Sequence, residues 1–272
     1  MKPKIIFITA ASRGFGRIWT EAALEAGHRV VATARNVDSL AELVDKYGDA
    51  VYPLQLDVTD RSAAFSAVAE GHRHFGALDV VINVAGFSLY GTIEETTEYE
   101  ARAQLETNLF GTLWVTQAAL PFMRQQQAGH IIQVSSVGGV VSFPTLGLYN
   151  ASKWGLEAFS EALAMEVKDF GIKVTLVEPG VYETSDDENA PVQENIIPAY
   201  DPLRAVIRQK FSAKKGDPGA TTALILNMIS EPEPPLRLFL GNFPYPLVTS
   251  KYQERLATWA QWKKASDAAQ GK

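Results

Sequence analysis

Cysteine is absent from the 272 residues. Disulfides, thiolate nucleophiles and Cys-ligated zinc or iron–sulfur centres are therefore excluded. Histidine is scarce: His28, His72, His74 and His130 are all there is. His72 and His74 stand two apart in a segment that reads as helix, where side chains at that spacing do not share a face. They read as surface residues, and no metal site is expected. Long apolar runs are missing, and nothing approaches the ~18 residues of a membrane span. The start, Lys2 to Ile8, puts positive charge before apolar residues as a signal peptide would. Its apolar run covers only Ile5 to Ile8, short of the ~7–15 residues of a signal core. It reads as a first strand, and the cytosol is the default compartment. Lys/Arg-rich runs are also lacking, and 25 basic against 31 acidic residues leave a net charge of −6. Nucleic acid is not an expected partner, and the acidic balance serves solubility.

What is present is an ordinary globular composition, 46% hydrophobic and 21% charged. Apolar runs at Lys4–Thr9, Arg29–Thr33, Val51–Leu56, Leu78–Asn83, His130–Ser135, Lys173–Glu178 and Leu236–Leu240 read as strands. Several are near-continuous in Val, Ile and Leu, as expected of strands covered on both faces. Helical patterns lie between them, around Phe15–Ala26, Asp38–Tyr47, Asp60–Phe75, Glu98–Arg124 and Tyr149–Phe170. Gly27, Gly48, Gly76 and Gly171 fall just past helix ends, where positive φ is often needed. The alternation predicts one α/β domain over residues 1–272, a doubly wound parallel sheet of about seven strands in the order 3-2-1-4-5-6-7. Residues 183–218, with Pro191, Pro198, Pro202 and the acidic run Asp186-Asp187-Glu188, interrupt this pattern and read as a substrate lid. A helical tail over 248–266 carries Val248, Tyr252, Leu256, Trp259 and Trp262 near helical spacing, a packing face.

The first strand runs into Thr9-Ala10-Ala11-Ser12-Arg13-Gly14-Phe15-Gly16 and then a helix. A small-residue turn there lets backbone N–H groups and the helix N-terminus face a pyrophosphate; a tight turn without ligand is the competing reading. The second strand ends Thr33-Ala34-Arg35 without the acid that would bind a ribose 2′-hydroxyl. Arg13 and Arg35 could instead converge on a 2′-phosphate through their planar donor forks. Solvated surface arginines are the alternative, but the missing acid tips the balance to NADP(H).

Tyr149 and Lys153 stand four apart in a helical segment, so both can point into one cleft. A nearby cation favours the phenolate, which would make Tyr149 a competent acid/base. Ser136 lies at the end of the fifth strand, Asn83-Val84-Ala85-Gly86 at the end of the fourth, and Pro179-Gly180 at the end of the sixth. Asn108 lies in the following helical segment and Thr184 shortly after Gly180. Open α/β sheets bind ligands at these carboxyl ends.

With these motifs in this order, the chain closely resembles the classical short-chain dehydrogenase/reductase family from Lys4 to about Thr184, and more loosely beyond. The resemblance implies that Tyr149 is the acid/base, and that Lys153 lowers its pKa and holds the nicotinamide ribose. Ser136 would hydrogen-bond the substrate oxygen, and Asn108 would position a water-linked relay to Lys153. Ala10, Ser12, Arg13, Gly14, Phe15 and Gly16 would form the phosphate loop, with Asp57 and Val58 at the adenine. Asn83, Ala85 and Gly86 would line the adenosine ribose, and Pro179, Gly180, Val181 and Thr184 the nicotinamide. Two departures stand out: Ala10 where the family has glycine, and Val84 where it has a second asparagine.

The expected activity is NADP(H)-dependent interconversion of a ketone or aldehyde and an alcohol. Phe87, Phe143, Leu146 and Tyr182 stand beside the motifs as an apolar substrate pocket, or as core. A non-catalytic NADP sensor and an epimerase of the extended branch are the alternatives. The intact catalytic set speaks against the first, and the short chain after Thr184 against the second. Relatives pair subunits through the helices matching Glu98–Arg124 and Tyr149–Phe170, so a homodimer or homotetramer is expected. Ala158, Ala162 and Leu163 would be its contacts.

Overall fold

The strands form where aliphatic and β-branched side chains are buried on both sides of the backbone. The computed structural model describes residues 2–184, 195–211 and 215–271. Its sheet comprises β1 (Ile5–Ile8), β2 (Arg29–Ala34), β3 (Val51–Gln55), β4 (Val80–Asn83), β5 (Gly129–Val134), β6 (Ile172–Pro179) and β7 (Arg237–Leu240). All neighbours pair in parallel, in the order β3-β2-β1-β4-β5-β6-β7. Order and direction are those the sequence predicts. Alternate residues serve opposite faces. Ile6 and Ile8 join Trp19, Val30 and Ile82 in one core layer. Phe7 joins Val31, Val81, Met123 and Ile131 in the other.

The flanking helices are α1 (Gly14–Glu25), α2 (Ala41–Tyr47), α3 (Arg61–Phe75), α4 (Glu98–Leu105), α5 (Thr112–Gln126) and α6 (Gly147–Glu166). Local chemistry sets their ends. Asp60 accepts the Ala63 N–H at 3.0 Å to open α3. Thr97 and Glu100 form a reciprocal capping box on α4. The four glycines expected past helix ends all take positive φ, between +52° and +82°.

Three expectations change in detail. The segment 98–124 is two helices, because a π turn, Glu106–Gly111, separates α4 from α5. Two further helices, α7 (Asp201–Phe211) and α8 (Thr222–Ser230), follow β6; the sequence pattern did not disclose them. The acidic run 186–188 and Pro191 lie outside the described residues. Leu163 is buried in the protomer's own core and offers no surface to a second subunit, whereas Ala158 is exposed.

The tail is a longer helix than expected, α9 (Pro244–Ala268). Tyr252, Leu256, Trp259 and Trp262 lie exposed along it, so this stripe is not packed on the sheet. No helix among the described residues is long and apolar enough to cross a membrane.

Candidate active site

The site is built on the carboxyl ends of β1, β4, β5 and β6. At the end of β1, buried Thr9 accepts the N–H groups of Val84 and Ala85 at 2.9 and 3.0 Å. That bond ties the first loop to the end of β4. Ala10 then turns with φ +54° and Gly14 with φ +52°. A Cβ at Gly16 would come within 2.1 Å of the Ala10 carbonyl oxygen, so only glycine permits this close approach. Helix α1 opens at Arg13 without a side-chain cap. Its first N–H groups are thus left for a ligand, and the loop fits a pyrophosphate. Arg13 and Arg35 are both exposed. Asp57 receives the Thr59 N–H and hydroxyl after β3, and Val58 is buried beside Gly111.

The Asn83 side chain is engaged inside the protein. Its amide nitrogen donates to Gln133 at 2.9 Å and Thr116 at 3.2 Å inside the protein. This buried strut fastens β4 to β5 and α5. Val84 packs against the apolar core and lines the cavity described below.

Lys153 and Tyr149 share a face of α6, with the lysine nitrogen 5.9 Å from the Tyr149 ring centre. Ser136 follows β5 in extended backbone, and its Oγ accepts the Gly138 N–H at 3.0 Å. A Cβ on Gly138 would sit 3.2 Å from Tyr149 Cε1 and 3.4 Å from Ser136 Oγ, so that loop brings the two hydroxyl-bearing residues together. Lys153 is buried and donates to the Val134 carbonyl at 2.8 Å. Burial lowers its pKa to about 8, although the charge of Glu157 works in the opposite direction.

Asn108 sits within the π turn, fully buried. Its amide clamps the Phe87 backbone from both sides, accepting N–H at 3.0 Å and donating to the carbonyl at 2.9 Å, and donates to Ser152 as well. A Cβ on Gly86 would lie 3.2 Å from Asn108 Oδ1 and 3.5 Å from Lys153 Nζ. Gly86, Asn108 and Lys153 therefore form one cluster. Gln104, which the sequence did not single out, reinforces it by bonding Phe87 and Leu89.

These groups open on a cavity of about 650 Å3. Ser136, Tyr149 and Lys153 line it together with Phe87, Phe143 and Leu146. Pro179, Gly180, Val181 and Thr184 line it from the end of β6. Tyr182 also reaches it, while its ring meets Phe15 edge-on at 5.4 Å, so it is both wall and core.

Glu95 and Arg204, also missed in the sequence, hold the far side. Arg204 donates to both Glu95 oxygens at 2.8 and 3.1 Å and to the Ile197 carbonyl at 2.7 Å. Burial would raise the Glu95 pKa, but donations from Ile197, Thr92 and Arg204 outweigh it and hold the carboxyl at about 2. The pair latches α7 over the cavity. It spans 109 residues, so no local pattern could announce it.

Comparison with known proteins agrees with this geometry. Residues 4–195 match the family model described as short chain dehydrogenase. An oxidoreductase of Botryotinia fuckeliana, BOA17, is 39% identical over 98% of this chain and 99% of its own length. The 3-ketodihydrosphingosine reductase of Bacteroides thetaiotaomicron is 37% identical over 89% of each chain. A crystal structure of a short-chain dehydrogenase from Streptomyces avermitilis superposes with a TM-score of 0.91 at 38% identity, covering 98% of this chain and 99% of that one.

Proposed function

Since the chain belongs to the short-chain dehydrogenase family, we propose that it is an NADP(H)-dependent carbonyl reductase acting on ketones or aldehydes with apolar substituents. The observation that carries this reading is the convergence of Ser136, Tyr149 and Lys153 on one largely apolar cavity. The name of the Bacteroides relative, a reductase of a keto compound, supports the same class of substrate. Arg13, Arg35 and the absence of an acid at Thr33, Ala34 or Arg35 support NADP(H) over NAD(H).

The loop from Ala10 to Gly16 would hold the pyrophosphate, Arg13 and Arg35 the 2′-phosphate, and Lys153 the nicotinamide ribose. When bound, the cofactor supplies the hydride that reaches the carbonyl carbon. Tyr149 gives its proton to the oxygen that becomes the alcohol. Ser136, whose Oγ already accepts from Gly138 N–H, turns its own O–H toward that oxygen and stabilises its developing charge. Lys153 favours the phenolate that Tyr149 leaves behind. Phe87, Phe143 and Leu146 exclude water and orient the apolar part of the substrate.

Tyr149→Phe tests the chemistry, since it keeps the ring and deletes only the hydroxyl. NADPH binding is expected to survive while turnover of a carbonyl panel falls at least ~100-fold. Near-normal turnover would refute the assignment. Arg35→Asp tests the cofactor: fluorescence titration is expected to show tighter NADPH than NADH binding in the wild type and loss of that preference in the variant. Equal wild-type affinities would refute NADP(H) specificity.

A further inference from the structure

Behind the catalytic lysine lies a buried acidic cluster that the reduction mechanism does not use. Glu157 stands one helical turn after Lys153 on α6 and is 4% exposed. Glu178, in β6 immediately before Pro179, is fully buried. Arg237, the first residue of β7, places its Nε 3.0 Å from Glu157 Oε2 and 3.6 Å from Glu178 Oε1. Its remaining donors are shared with the half-exposed Glu161. Ser135 Oγ, Oε1 of Glu157 and both oxygens of Glu178 lack a well-formed hydrogen bond, although the Ser135 hydroxyl lies within reach of Glu157 and the two carboxyls within reach of each other. Ser135, beside Ser136, closes the cluster from the end of β5, and a Cβ on Gly139 would strike both Ser135 Oγ and Glu157 Cγ.

One guanidinium cannot neutralise two buried carboxylates while it also serves a third acid. The other buried cation, Lys153, is spent on the Val134 carbonyl. Ionising both would therefore leave Glu178 with only the shared Arg237 at 3.6 Å, and an ill-paired buried ion costs several kcal/mol. A single proton between them removes that charge and supplies the O–H donor that the orphaned oxygens lack. We propose that Glu157 and Glu178 form a one-proton carboxyl pair, clamped by Arg237, whose residual negative charge makes Glu157 a positioning residue for Lys153.

Burial raises both carboxyls, but at Glu157 it is opposed by the Ser135 hydroxyl and the nearer Arg237. At Glu178, burial and the neighbouring Glu157 push the carboxyl up to about 8 against the pull of Arg237, so the proton belongs mainly to Glu178. Glu157 then carries the charge. It faces Lys153 and Glu161 from its own helix, Glu178 from β6, Arg237 from β7 and the Ser135 hydroxyl from β5. Its charge opposes the loss of the Lys153 proton that burial favours. In this way the pair keeps the ammonium charged beside Tyr149. The link to catalysis rests on the reductase reading; the shared proton does not.

The full-length protein and its Glu157→Gln, Glu157→Asp and Glu178→Gln variants provide the test. Glu157→Gln deletes the counter-charge, so the basic limb of kcat/KM against pH is expected to move down by about one unit. Glu157→Asp keeps the charge and is expected to restore most of the wild-type limb. Glu178→Gln imitates the protonated partner and is expected to leave the limb in place.

A second readout needs no turnover. Between pH 5 and 8 the unfolded chain releases the Glu178 proton while the folded protein keeps it, so this group's contribution to stability falls as pH rises. The Tm of Glu178→Gln is therefore expected to gain on the wild type across that window. A basic limb unmoved in Glu157→Gln would overturn the positioning role. A Tm difference independent of pH would overturn the shared proton, and it decides the matter alone if Glu157→Gln does not fold. A wild type that reduces no carbonyl would instead refute the reductase reading and leave the Tm result standing.

Discussion

Ala10 shows how one side chain can be tolerated against its backbone. At φ +54° it occupies the left-handed region, where a Cβ crowds the following carbonyl and costs roughly 1–2 kcal/mol. The family's usual glycine would avoid that cost, but a glycine also frees the unfolded chain, returning ~0.4–1 kcal/mol. Ala10→Gly is therefore expected to be neutral or slightly stabilising in urea unfolding. Ala10→Val puts a β-branched residue at the same φ and is expected to be less stable than the wild type by ~1 kcal/mol or more. Equal stability of the valine variant would show that the loop relaxes to another conformation. The candidate site residues were legible at this scale because their spacing is short and their places follow strand ends: Tyr149 and Lys153 share a turn, and Ser136 and Gly86 lie just past β5 and β4. Gln104, Glu157 and the bonds that Asn83 makes were not, because a buried polar residue is defined by its partner. Those partners, Phe87 and Leu89, Gln133 and Thr116, and Arg237, lie 15 to 80 residues away.

Elements were readable where the apolar pattern had one cause. The strands announced themselves because both faces are buried, which leaves little room for polar residues. Where two causes overlap, the pattern misleads. From Glu98 to Arg124 the hydrophobic spacing runs on, yet the π turn at Glu106–Gly111 inserts itself where Asn108 must reach Phe87 and Ser152. π turns gather at functional sites for this reason, since they re-aim a side chain without ending the helix. Helix α7 hides differently. What holds it is the latch to Glu95, together with Tyr200 bonding Glu94. Removing that latch gives a prediction about the element. Arg204→Ala is expected to raise KM for the carbonyl substrate several-fold, with kcat changed less, because α7 lines the cavity but carries no catalytic group. Hydrogen exchange at the Ile197 amide, which Glu95 accepts at 2.7 Å, is expected to speed up. Unchanged KM with unchanged exchange would mean the latch does not control access to the cavity.

For the whole molecule, the buried titratable groups set how stability responds to pH. His130 lies in the interior strand β5, with its Nε2 2.9 Å from Thr175 Oγ1. The Thr175 hydroxyl donates to the Pro235 carbonyl, so it accepts from His130, which fixes the Nε2–H tautomer. Charging the ring would require a proton on the buried Nδ1 side. Burial, then Lys173 and Lys4, lower the pKa to about 4. The unfolded histidine takes up its proton near pH 6.5, so the unfolded state binds more protons between pH 6.5 and 4. The contribution of this group to stability must therefore fall as pH drops through that window, by about 3 kcal/mol at full extent, against the opposite slope of Glu178. Below pH 4 the loss passes to Glu95, whose folded carboxyl stays ionised down to about 2 while the unfolded one protonates near 4.5. His130→Asn deletes only the first of these slopes. Its stability at pH 7 is expected to be lower than the wild type's, because the Thr175 bond is disturbed, but its urea midpoint is expected to decline less between pH 7 and 4.5. The two midpoints should therefore converge as the solution is acidified. Parallel decline would locate the acid sensitivity elsewhere, since an imidazole that stays neutral in the fold has no other way to make the unfolded state the better proton acceptor.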